Sequence, residues 1–114
     1  VLNVGKVGRS RHQAIIRSLE QRLTESQISY QTVDINVEYW KRGKTIGEID
    51  LFALHGKYEL YFEIKSNHTL KGYSKARKQL RRIKKRYATP GRAQHYFYVS
   101  GTKEGGYKIQ KVMF

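Results

Sequence analysis

The chain has 114 residues, one proline and no cysteine, and it carries 23 Lys and Arg against 9 Asp and Glu, a formal net charge of +14. Its length supports a single domain, residues 1–114, able to bury one sheet and a couple of helices, and the missing cysteines exclude disulfides, thiolate zinc sites and iron–sulfur clusters. No run reaches the roughly 18 apolar residues of a membrane span, and the stretch Val-Leu-Asn-Val-Gly-Lys-Val is too short for a secretory signal, so a cytoplasmic setting is expected.

In chain order, Ser10 followed three residues later by Gln13 has the form of a capping box, and Ala14, Ile15, Leu19 and Leu23 then give an apolar stripe. The spacing predicts a first helix over residues 11–27. Residues 30–40 alternate, with Val33, Ile35, Val37 and Tyr39 on one side and Asp34, Asn36 and Glu38 on the other, the period of a half-exposed strand. After a turn at Lys41-Arg42-Gly43-Lys44, residues 45–54 and 58–65 read as two more strands joined across His55-Gly56-Lys57, completing an antiparallel meander.

Residues 66–72 read as a loop, and Ser74 as the cap of a second helix ending near Tyr87. There Ala76, Leu80, Ile83 and Tyr87 recur at helical spacing, one narrow apolar face among many Lys and Arg. Thr89-Pro90-Gly91 stops it, and residues 93–100 and 107–114 are two final strands separated by residues 101–106. The order α-β-β-β-α-β-β predicts an α/β fold with a mixed central sheet flanked by helices.

Nine acids in so basic a chain can be weighed singly. Glu25, Asp34, Glu38, Glu59 and Glu104 fall at turns, helix ends or polar strand sides, where solvent accounts for them. Asp50 and Glu63 differ, because Ile49-Asp50-Leu51-Phe52 and Leu60-Tyr61-Phe62-Glu63-Ile64 are apolar strand sequences. A carboxylate there costs several kcal/mol of desolvation unless a cation or dense hydrogen bonding compensates. Alternation puts Glu63 and Lys65 on one face of their strand, and the hairpin brings Asp50 alongside. Two carboxylates and an ammonium at one point suit a hard divalent ion such as Mg²⁺ or Mn²⁺, able to polarise a phosphodiester and acidify a water, while Lys65 orients that water or offsets developing charge.

The series Gly47-Glu48-Ile49-Asp50, twelve residues, then Glu63-Ile64-Lys65, on a hairpin between two helices, resembles the PD-(D/E)xK nuclease superfamily of restriction enzymes, junction resolvases and RecB-like nucleases. The resemblance covers residues 8–87. It implies a restriction-endonuclease-like core and Mg²⁺-dependent DNA hydrolysis, probed equally by Mn²⁺, in repair, recombination or restriction. It also implies that Asp50 and Glu63 bind the metal, that Ile64 lends its backbone carbonyl and that Lys65 assists the nucleophile. Gly8-Arg9-Ser10-Arg11-His12 is similar to the GxxxH of RecB-like members, which makes His12 a further metal ligand, with Glu20 in reserve. Gln79 matches the first position of their QxxxY pattern, whose Tyr is Ile83 here; the usual Pro before the Asp is Ile49.

The excess charge makes a polyanion the natural partner, and DNA the expected one. Lys75, Lys78, Arg81, Arg82 and Lys85 on the second helix are the residues expected to hold phosphates, with Gln79 toward the site. Tyr61, Tyr73, Tyr96 and Tyr98 are read as sheet and core residues. The competing reading from composition is a basic nucleic-acid-binding module without catalysis; a nuclease subunit of a larger complex is a third. Exposed edge strands or Val112-Met113-Phe114 offer places for a second copy to pair into a homodimer.

Overall fold

The computed structural model describes residues 4–87 and 89–114, with side chains described from Ser10 onward. Its elements are α1 (Val4–Thr24), β1 (Thr32–Lys41), β2 (Lys44–His55), β3 (Tyr58–Lys65), α2 (Leu70–Tyr87), β4 (Ala93–Gly101) and β5 (Tyr107–Val112). The five strands form one sheet in the order β1-β2-β3-β4-β5. β3 and β4 run parallel, linked through α2, and every other neighbouring pair is antiparallel. The mixed sheet between helices is the architecture expected from the sequence.

Alternation along β3 divides the core. Tyr61 faces a cluster with Ala76, Leu80 and Ile83 of α2, whereas Phe62 and Ile64 face a second cluster with Ile15, Ile16 and Leu19 of α1. One helix therefore covers each face. Leu51, Ile64, Leu80 and Val99 are fully buried, and truncating any of them to Ala costs about 2–5 kcal/mol. Within the stripe expected for α1, Ala14 is exposed and Ile16 takes its place against the sheet. Tyr61, Tyr96 and Tyr98 are buried core residues as read.

Both helices begin earlier than predicted. α1 starts at Val4, so Ser10 lies inside it and caps nothing; it ends at Thr24, where the hydroxyls of Thr24 and Ser26 turn back onto main-chain carbonyls and compete with further helix. α2 starts at Leu70 because Thr69, not Ser74, is its cap: the Thr69 hydroxyl accepts from the Gly72 amide at 2.8 Å.

β1 and β2 change face midway. Ile35 and Leu51, which pair, pack toward α1; Val37 and Ile49, the next pair registered, pack toward α2. Between them lie Asn36, at φ 53°, and Asp50. A left-handed residue inside a strand breaks the two-residue period and turns both strands. Asn36 is held there by two hydrogen bonds exchanged with the Gln13 amide, at 3.1 and 3.3 Å. The same kink ends the ladder between β2 and β3, whose pairing stops at Leu51 and Phe62.

Candidate active site

The kink frees Asp50 from the ladder, and its carboxylate takes over the missing contact: the Ile64 amide donates to Asp50 Oδ2 at 2.8 Å. From α1, His12 Nε2 comes within 3.3 Å of the same oxygen. That hydrogen bond, reinforced by the charge of Asp50 and by the Ile64 carbonyl, raises the His12 pKa against the opposing effect of burial. His12, Asp50 and the Ile64 backbone thus meet.

Glu63 approaches from the α2 side. It is 3% exposed, and burial, then the adjacent Asp50 carboxylate, push its carboxyl up to about 9, with Lys65 pulling the other way. Lys65 Nζ lies 3.7 Å from Glu63 Oε1 and donates to Gln79 Oε1 at 3.4 Å. Glu63 Oε2 is buried with no hydrogen-bond partner, a condition it shares among the described residues only with the Tyr96 hydroxyl. Such an atom costs about 1–3 kcal/mol, and more when charged.

The residues singled out in the sequence divide accordingly. His12, Asp50, Glu63, Ile64, Lys65 and Gln79 come together. Glu20, half-buried two turns along α1, is not among them; its main-chain carbonyl accepts from the Thr24 hydroxyl at 3.1 Å. Of the α2 cations, Lys75, Lys78 and Lys85 are exposed. Arg81 lies 5.5 Å from the centre of the Phe114 ring, which Arg77 and Lys84 also approach. Arg82 donates to the Ile46 carbonyl at 3.4 Å and opposes the burial that raises the Tyr39 hydroxyl pKa.

One acid near the site, Glu48, escaped sequence reasoning; Glu38 is exposed as read, and Glu59 was misread. Glu38 and Glu48 sit directly opposite each other across β1 and β2, a pairing of like charges that ordinarily destabilises a sheet. Burial, then Asp50 and Glu38, raise the Glu48 pKa, while His12 lowers it. The signal was available, since Glu48 precedes Asp50 by two residues. Glu59, assigned to solvent, is instead 5% exposed. β3 is the central strand, so both its faces are covered, and the carboxylate is satisfied by Gln94, Tyr61, Thr89 and Arg92.

Among the described residues no group of three or more His, Asp and Glu side chains is drawn together as a metal cage. The oxygens that could hold a small divalent cation here are those of the two carboxylates and the Ile64 carbonyl, hard donors of the kind such an ion takes, with His12 3.3 Å from Asp50. Next to these groups, at the C-terminal ends of β3 and β4, a cleft of about 670 Å³ opens between Arg11, Asn67, His68, Ser100, Lys103 and Lys108. Asp50, Glu63 and Lys65 lie outside its lining. Gly101 is required at its floor, because a Cβ there would come within 2.1 Å of the Ser66 carbonyl.

The element order and mixed sheet are consistent with a PD-(D/E)xK-like superfamily fold. The chain matches no family model, no curated protein and no solved structure. Among the described residues no helix is long and apolar enough to cross a membrane.

Proposed function

We propose that this protein is a metal-dependent deoxyribonuclease that hydrolyses phosphodiester bonds in DNA, acting as an endonuclease. The observation that carries this reading is the pairing of Asp50 with Glu63, whose Oε2 is buried without a partner, in a chain of net charge +14. The arrangement is costly to the metal-free fold, which must bury an unsatisfied oxygen beside a second carboxylate, and a divalent cation would offset that cost. Asp50, Glu63 and the Ile64 carbonyl would hold Mg²⁺ or Mn²⁺, with His12 steadying Asp50 or joining the set. The ion supplies Lewis-acid polarisation of the phosphate and a more acidic water.

The chain's own residues do the rest. Lys65, held between Glu63 and Gln79, offers its ammonium to the attacking water or to the charge that builds on the phosphate. Gln79 keeps that ammonium from collapsing onto the carboxylates. Lys75, Lys78 and Lys85, exposed on α2, hold flanking phosphates, and Arg81 and Arg82 add charge nearer the sheet.

The test is a cleavage panel of single-stranded, duplex, flapped and four-way-junction DNA in Mg²⁺ or Mn²⁺, run beside Asp50→Ala and Lys65→Ala. Cleavage by the wild type and its loss in both variants is expected; cleavage that survives both substitutions removes the mechanism. A second reading, a basic binding module without hydrolysis, draws on the net charge of +14 and on the lack, among the described residues, of a group of three metal-ligating side chains. Its mark is DNA binding with no cleavage of any substrate in either metal.

A further inference from the structure

β1 and β2 outrun the rest of the sheet. β2 spans Lys44–His55 but pairs with β3 only through residues 51–55. Its remaining residues continue with β1 as a two-stranded ribbon, registered to Lys41 opposite Lys44, past the end of β3 where Lys65 lies. The main chain of this ribbon is fixed to α2 as far as the residue before the turn: Arg86 donates to the Trp40 carbonyl, and Arg82 donates to the Ile46 carbonyl at 3.4 Å. Tyr39 is buried there, its hydroxyl so close to Gly47 that a Cβ would meet it at 2.1 Å.

The side chains at the turn are different. Trp40, the single tryptophan of the chain, is 53% exposed, and Lys41, Arg42 and Lys44 surround the turn beside it. Arg42 and Gly43 both have positive φ, 52° and 78°, as a two-residue hairpin turn demands. Asn or Gly suits the first of these positions, and a long side chain there costs about 1 kcal/mol. The chain accepts that strain and places a cation at the tip. Tyr39 packs in the core beneath α2, whereas Trp40 and Arg42 belong to neither core cluster.

We propose that the β1–β2 ribbon is a nucleic-acid arm in which Trp40 stacks on an unpaired base while Lys41, Arg42 and Lys44 hold the adjoining phosphates. The substrate class is therefore DNA with unpaired nucleotides that reach the β1–β2 turn, where Trp40 pairs with Thr45, roughly 16 Å along β2 from Asp50 at the rise of a strand. This rests on the nuclease reading of the Asp50–Glu63 site. An exposed indole face binds any base that has left its own stack and gains little from a base still stacked in duplex. An anionic lipid surface also attracts Trp among cations, but it needs a broader apolar face, and the residues following Trp40 are Lys41, Arg42, Gly43, Lys44 and Thr45.

Because Trp40 is the only tryptophan, its emission reports the arm alone. The wild type, Trp40→Ala, Trp40→Phe and Arg42→Asn are titrated in EDTA with a single strand, a blunt duplex, a flapped duplex and phosphatidylserine vesicles; cleavage is then assayed in Mg²⁺. Single-stranded and flapped DNA should quench the emission, and Trp40→Ala should weaken their binding roughly tenfold, with less than about a twofold effect on blunt duplex and a smaller loss in Trp40→Phe. Arg42→Asn should weaken DNA binding while leaving the melting temperature unchanged or higher. Equal losses on blunt and flapped DNA, absence of quenching, or a blue shift with vesicles alone would overturn the arm. Cleavage without quenching refutes the arm and leaves the nuclease standing; quenching without cleavage of any DNA does the reverse.

Discussion

β3 buries a carboxylate near each end, and their surroundings differ. Near the start of the strand, Glu59 accepts a hydrogen bond from Gln94 Nε2 at 2.7 Å and longer ones from Tyr61 and Thr89, with Arg92 at 3.8 Å. Near its finish, Glu63 has Lys65 at 3.7 Å, a second carboxylate beside it and one oxygen with no partner at all. Both acids are equally hidden from water, so burial does not separate a structural acid from a functional one. What separates them is whether neighbouring donors satisfy the charge.

The largest effect should come from Asp50→Asn, which keeps the shape of the side chain and removes its charge. Single-turnover cleavage should fall by roughly 10²–10³-fold, as for loss of one preorganised electrostatic group. Glu59→Gln, at the other end of the same strand, should leave the rate within about twofold by that criterion. Comparable losses from both would erase the distinction between the two ends.

Stability should sort them in the opposite sense. Glu59→Ala strands the Gln94 amide and costs about 3 kcal/mol, read from urea unfolding. Glu63→Gln should stabilise the metal-free protein by on the order of 1–3 kcal/mol at neutral pH while abolishing cleavage.

The pH dependence sharpens this further. The Glu63 carboxyl is raised from an ordinary 4.5 to about 9, so the folded chain retains a proton that the unfolded chain releases. The stability this group lends is complete below 4.5 and is lost as pH climbs toward 9. The advantage of Glu63→Gln over wild type in EDTA should accordingly vanish in acid and widen with rising pH; a constant difference would show that burial does not hold Glu63 protonated.

The smallest expected effect lies on α2. Removing Lys75, Lys78 or Lys85 singly should lower the log–log salt slope of duplex binding by about 0.9 each, measured by anisotropy across a salt series. Unchanged slopes would move the phosphate path off this helix and toward the ribbon or the cleft.

Much of this protein was legible residue by residue. The alternation of Val33, Ile35, Val37 and Tyr39 and the helical spacing of Ala76, Leu80 and Ile83 are local patterns, and they specify element type because an apolar face must be buried. Asp50 and Glu63 stood out for the same reason, as charges inside apolar runs. The helix starts were less legible: Ser10 and Ser74 are good caps in isolation, yet Thr69 caps α2 because the Gly72 amide lies over its hydroxyl.

Composition and periodicity by themselves determined the basic charge, the order of elements, the apolar faces and the two acids worth following. Only the tertiary structure decided that Glu59 is satisfied while Glu63 is not, that Glu48 faces Glu38 across the two strands, and that Asn36 and Asp50 mark the level where two strands turn over. Those outcomes depend on partners distant in the chain, Gln94 for Glu59 and Gln13 for Asn36. A side chain's hydrogen bonds and burial belong to the space around it, which sequence neighbours do not fill.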